Sequence, residues 1–184
     1  MIELRGVSMA YGDKRVFSDL SLSFSSPGMY AILGPSGRGK TTLLRLIAGL
    51  ERPLAGQVLL PQDARIAFCF QEDRLLPWRT VLENVALACG DTHTARKALS
   101  RVGLSGEESS YPAALSGGMK RRASLARALA FDADVLLMDE PFRALDPEMH
   151  ARMLSLVREA AQGRLLLLVT HDARDAAGMQ AIHL

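Results

Sequence analysis

The chain has 184 residues, 48% of them hydrophobic, and its 22 Lys+Arg against 20 Asp+Glu leave a formal charge of +2. That length closes one compact core with little left for a second domain, and the near-neutral balance lends no support to a nucleic-acid footprint, although 18 of the 22 cations are Arg. A membrane span is excluded because the longest apolar run, residues 165–169, is far below the roughly 20 residues a span needs, and residues 1–11 hold Glu3 and Arg5 instead of the apolar stretch of a secretory leader.

Alternating runs at residues 2–9 and 16–24, separated by Tyr11-Gly12-Asp13-Lys14, predict an antiparallel hairpin. Residues 29–33 read as a short buried strand. Directly after it, Gly34-Pro35-Ser36-Gly37-Arg38-Gly39-Lys40-Thr41 fits G-x-x-x-x-G-K-S/T between a strand and a helix. In such a loop the glycines let backbone N–H groups close around a phosphate, and the following helix points its positive end inward. Lys40 then reaches β/γ oxygens and Thr41 ligates Mg²⁺. The helix over 40–49 places Leu43, Leu44, Ile47 and Leu50 on one stripe and is closed by Gly49 and Pro53. Two further strands are expected over 57–60 and 65–70.

From Thr80 the period becomes helical, with Thr80-Val81-Leu82-Glu83 in the form of a capping box, and residues 80–131 are expected to be mostly helical. Within them Ser116, preceding an Arg-rich helical run, reads as an N-cap, and Gly117 and Gly118 leave backbone donors open. That builds a second anion site, although alone it is an ordinary capped helix start. A buried run over 134–138 then ends in Asp139 and Glu140; a helix starts at Pro147, a second buried run spans 165–169, and a short helix is expected from Asp172. Strand–helix alternation of this kind implies a parallel sheet with helices packed on it. Cys69 and Cys89, in apolar surroundings without metal-ligand spacing, are expected to be reduced, buried thiols.

In an open α/β sheet the carboxyl ends of the strands face the ligand crevice. Successive side chains alternate along a strand, so Asp139 is assigned to the metal and Glu140 to the attacking water. With the phosphate loop, this pair makes a P-loop NTPase core. Asp146-Pro147-Glu148 serves equally as an N-cap with an N1 proline or as part of a nucleotide site.

Taken together these motifs resemble the ATP-binding cassette family, the nucleotide-binding subunits of ABC transporters. Tyr11 looks like the aromatic that stacks on adenine, and Gly34 to Thr42 match the Walker A region. Gln71 matches the Q-loop and Leu115-Ser116-Gly117-Gly118-Met119 the signature. Asp139 and Glu140 match Walker B and the catalytic glutamate, Ala144-Leu145-Asp146 the D-loop, and His171 the switch histidine that contacts a γ-phosphate. The resemblance implies a parallel sheet flanked by helices, an antiparallel N-terminal β region and a small helical signature region, in one domain over 1–184 (subregions 1–70, 71–131 and 132–184). It implies ATP and Mg²⁺ as ligands, with Thr41, Gln71 and Asp139 around the metal and Lys40, Glu140 and His171 in catalysis. Two cassettes pair head to tail, so that Ser116, Gly117 and Gly118 complete the partner's site. The implied setting is the cytoplasmic face of the inner membrane, held there by an integral permease that a periplasmic or extracellular solute-binding protein supplies. Nucleic acid is not an expected partner, and a non-transport ATPase acting on DNA or ribosomes is the alternative. Leu75-Leu76-Pro77-Trp78 and Met119 resemble the nitrate/sulfonate/taurine importer branch, and Trp78 is expected either as an exposed partner contact or as a core corner. Arg121 and Arg143 depart from the family pattern and are expected near the dimer interface, and the chain resembles a minimal cassette.

Overall fold

The computed structural model describes residues 1–184 and contains two sheets. In the first, β1 (Ile2–Tyr11) pairs antiparallel with β2 (Lys14–Phe24) through the Gly12-Asp13 turn, and its other edge takes β4 (Ala55–Leu59). The second sheet is parallel, in the order β5 (Ile66–Cys69), β6 (Val135–Asp139), β7 (Leu165–Val169), β3 (Gly28–Leu33) and β8 (Gln180–His183).

All five residues of β6 and all five of β7 are buried, the unbroken apolar run that a sheet covered on both faces requires. The two-residue period divides them between two cores. Leu136, Met138, Leu166 and Leu168 face α2 (Val81–Cys89), α3 (Thr92–Arg101) and α4 (Gly117–Ala130). Val135, Leu137, Leu165, Leu167 and Val169 face α1 (Lys40–Ile47) and the antiparallel sheet. Each such side chain contributes about 1.5–3 kcal/mol on burial. A fifth helix, α5 (Pro147–Ala160), joins β6 to β7 and buries Met153, Leu154, Leu156 and Val157 against the helical core.

Local signals explain the helix ends. The Thr80 hydroxyl accepts from the Glu83 amide at 3.2 Å while the Glu83 carboxylate accepts from the Thr80 amide at 2.7 Å, completing the capping box. The short helix expected from Asp172 does not form. Asp172 accepts from the Arg174 amide at 2.8 Å, and Asp175, Ala177 and Met179 donate three residues back, giving successive turns instead of an α-helix. Leu50, expected on the α1 stripe, is 56% exposed because Gly49 turns left-handed (φ 69°) and carries the chain away from the core. Both cysteines are free; Cys69 is buried as expected, whereas Cys89 is half-buried at the end of α2. No helix is long and apolar enough to cross a membrane.

Candidate functional site

The carboxyl ends of β3, β6 and β7 open onto one cleft of about 380 Å³, lined by the phosphate loop together with Tyr11, Gln71, Asp139, Glu140 and His171. The loop follows β3 because Gly34, Gly37 and Gly39 adopt φ of 148°, 78° and 92°. At Gly39 the requirement is steric as well: a Cβ there meets Val16 Cγ1 at 2.5 Å and Phe17 Cζ at 2.7 Å. Gly39→Ala is expected to lower unfolding stability by about 2–4 kcal/mol, the sum of left-handed strain and overpacking, read as a drop in the thermal midpoint. Lys40 begins α1 and is buried, its Nζ donating to the Gly34 and Pro35 carbonyls at 2.7 and 2.9 Å. The ammonium therefore lies over the loop, held by two of its carbonyls.

Thr41, one residue further, reaches across to β6: its hydroxyl donates to Asp139 Oδ2 at 2.7 Å. Burial pushes the Asp139 carboxyl above the usual carboxylate range, the charge of Glu140 adds to that, and the Thr41 hydroxyl opposes it. Simple alternation would turn Glu140 away from Asp139. Instead the strand has ended, and Glu140 takes a left-handed φ of 48°, which brings its side chain round into the same cleft. There Glu140 Oε1 lies 2.8 Å from His171 Nε2, and Oε2 accepts from Gln71 Nε2 at 3.5 Å. The carboxylate is thus clasped between residues that follow two other strands.

At the outer end of the cleft, Tyr11 is exposed at 45%, and its hydroxyl donates to Glu51 and lies 3.4 Å from Thr42 Oγ1. Burial and the Glu51 carboxylate raise its pKa. Lys14, from the same hairpin, also lines the cleft. Ser36, Gly37 and Thr42 lie on the cleft wall with them, and Arg38 is exposed beside it.

Other expected site residues lie elsewhere. Ser116 caps α4, accepting from the Met119 amide at 3.3 Å, on an exposed face outside the cleft. A Cβ at Gly117 meets nothing within 4 Å, and one at Gly118 makes only ordinary contacts at 3.7 and 3.8 Å. Neither glycine is demanded by this chain's own packing. Asp146 caps α5, accepting from the Met149 amide at 2.9 Å, so the capping role holds. Trp78 is 70% exposed, which rules out a core corner. Arg143 is exposed and borders a second cavity of about 200 Å³ behind Glu140 and His171. Arg121 is not a surface residue; at 3% exposure it is enclosed, and its guanidinium touches the backbone at both Gln71 and Glu140. Sequence reasoning missed this, together with the place of Lys14 and the Glu51 contact. The signal for Arg121 was its position on the apolar stripe with Ser124, Leu125 and Ala128, all buried.

Residues 17–143 match the family model described as ABC transporter. The aliphatic sulfonates import ATP-binding protein SsuB 1 of Rhodococcus jostii (strain RHA1) is 46% identical over 184 residues, 95% of this chain and 74% of that protein. SsuB 3 of Paraburkholderia xenovorans (strain LB400), similarly named, is 47% identical over 95% of this chain and 72% of its own length. Among solved structures, a dimeric ATP-binding cassette in a post-hydrolysis state with ADP and Pi superposes with a TM-score of 0.92 at 29% identity, over 100% of this chain and 94% of the other.

Proposed function

This chain belongs to the ABC transporter family as an ATP-binding, ATP-hydrolysing import subunit, and we propose that the cleft between β3, β6 and β7 is where it turns ATP and water into ADP and phosphate. The observation that carries this placement is the junction of Thr41 with Asp139 at 2.7 Å, beside a Glu140 carboxylate held by His171 at 2.8 Å.

The α1 N-terminus and the loop amides of Gly37, Gly39 and Lys40 stabilise negative charge on the phosphates, and the Lys40 ammonium transfers from the Gly34 and Pro35 carbonyls to β/γ oxygens. Thr41 hydroxyl, Asp139 carboxylate and Gln71 side-chain oxygen would offer the hard-oxygen donor set that Mg²⁺ takes, and a cation beside Asp139 would favour its ionised form against the desolvation that raises its pKa. Mg²⁺ held there would supply charge neutralisation to the phosphates. Glu140 orients the attacking water and accepts its proton at a carboxylate oxygen. His171, at 45% side-chain exposure, is free to exchange its Glu140 contact for the γ-phosphate, and Tyr11 stacks on the base.

Ser116, Gly117 and Gly118 complete the partner's site in a head-to-tail cassette dimer, which accounts for two glycines that this chain's interior does not require. Asp146 lies by that interface in addition to capping α5. The whole chain acts as one cassette, with the helical region over 71–131 as the arm that carries the signature. Its membrane partner is an integral permease that holds it peripherally at the cytoplasmic face, fed from outside by a solute-binding protein. The cargo we assign is an aliphatic sulfonate, the class named for the relatives, selected by the permease and solute-binding protein. The DNA- or ribosome-directed alternative gains no support from import relatives.

Trp78, exposed beside Pro77 directly after the Gln71 loop, is the contact we assign to the permease. Trp78→Ala is expected to leave the rate of phosphate release by the isolated chain within about twofold while weakening co-purification of the permease by about 30-fold, the loss of an aromatic hot spot of about 2 kcal/mol. Equal recovery of the permease with native and variant chains refutes the contact.

A further inference from the structure

Arg121 lies just past the first turn of α4 with 3% exposure, on a stripe otherwise filled by Ser124, Leu125 and Ala128. A buried guanidinium is expensive to desolvate, and an apolar side chain would fill that stripe without the cost. What the charge does instead is hold backbone. Its Nη2 donates to the Asp139 and Glu140 carbonyls at 2.9 and 2.8 Å, and its Nε to the Pro141 carbonyl at 3.0 Å. Its Nη1 donates to the Phe70 and Gln71 carbonyls at 2.6 and 3.3 Å and pairs with Asp73 at 3.4 Å.

Three of those carbonyls belong to consecutive residues, 139 to 141, and Glu140 between them carries the left-handed φ of 48° that a non-glycine residue adopts only when its surroundings enforce it. The Glu140 amide is tied to the Val169 carbonyl at 3.0 Å, so the turn is pinned at its N–H by β7 and at its carbonyls by Arg121. The other two carbonyls close β5 and carry Gln71, whose amide reaches Glu140 from the opposite side.

We propose that Arg121 is the positioning residue for hydrolysis: its guanidinium fixes the turn that swings Glu140 into the cleft and, through the Gln71 carbonyl, sets the separation between Glu140 and Gln71. It touches no reacting atom and acts through Glu140, so the proposal rests on Glu140 being the base that accepts the water's proton. Only the planar fork of arginine can serve carbonyls from two strands at once; lysine keeps the charge but offers a single point, and glutamine keeps two donors without the charge.

The test compares Arg121→Lys and Arg121→Gln with the native full-length chain, using thermal melting, titration with a fluorescent ATP analogue, phosphate release with Mg²⁺ and ATP, and amide hydrogen exchange. Both variants are expected to melt cooperatively and to bind the analogue within about twofold of native, while kcat falls about tenfold or more, as sub-ångström misplacement of a reacting group produces. Exchange is expected to accelerate at the Glu140 and Arg143 amides, the latter donating to the Glu140 carbonyl, and to stay native at Leu136 to Met138. A folded variant with kcat within about twofold of native overturns the proposal, as does analogue affinity falling in step with kcat or unchanged exchange at 140–143. Failure of both variants to fold overturns it too, by assigning Arg121 to fold stability. A native chain without ATPase activity sinks the Glu140 reading on which the proposal rests, while the exchange measurement separately decides whether Arg121 fixes the turn.

Discussion

Glu140→Gln is expected to lower kcat for ATP by about 10²–10⁴-fold, the range that a positioned general base supplies. The substitution is close to isosteric and keeps an oxygen that can accept from His171, so the contact at 2.8 Å and the left-handed turn have no reason to change. What is lost is the basicity needed to take a proton from water. Lys40, Thr41 and Asp139 are untouched, so analogue affinity is expected to remain within about twofold of native, and loss confined to kcat marks an interaction made only in the transition state. In the proposed head-to-tail pair each ATP lies between the two chains, so an uncleaved ATP is expected to hold them together: the variant is expected to elute as a dimer with ATP while the native chain returns to monomer as it turns over. Phosphate release at the native rate, or no ATP-dependent dimer, removes Glu140 from the role given to it.

The elements that were legible in the sequence are those in which local pattern and burial agree. Val135 to Met138 and Leu165 to Val169 are apolar at every position and short, as a strand covered on both faces requires, and the glycines of the phosphate loop carry φ values that other residues reach only under strain. Glu140 shows where pattern alone fails: alternation along a strand predicts opposed carboxylates, and the strand stops one residue too early for the rule to apply. Asp172 shows a second failure. It is a sound helix-start residue, yet its side chain closes a tight turn onto Arg174 and Thr170 bonds Asp175, so local hydrogen bonds outcompete a helix. Arg121, expected near the dimer interface from its place after the signature, is enclosed within its own chain, and the partners that make burial tolerable lie 18 to 51 residues away, at separations that no local window contains.

Two variants that are each inactive alone are expected to restore activity when mixed. Gly118→Asp is chosen to damage only the face offered to the other chain. A Cβ there makes contacts no closer than 3.7 Å, and Asp at the second position of α4 suits the positive end of the helix, so the fold is retained. In the proposed head-to-tail pair its carboxylate faces the partner's γ-phosphate, and repulsion in place of backbone donors is expected to cost about 10²-fold or more in kcat. Glu140→Gln damages only the site's own half. In a head-to-tail pair, the heterodimer joins the native Glu140 of the first variant to the native signature of the second, giving one intact site and one doubly damaged one. Equal mixing makes half the dimers heterodimeric with one good site of two, so phosphate release is expected to recover to about a quarter of the native rate. The curve should peak at equal proportions, because excess of either variant returns its chains to inactive homodimers. If each chain hydrolyses ATP with its own residues alone, mixing gives only the weighted mean of two inactive preparations at every ratio. The peak therefore tests whether Ser116, Gly117 and Gly118, which make no contact with this chain's cleft, belong to a catalytic site at all.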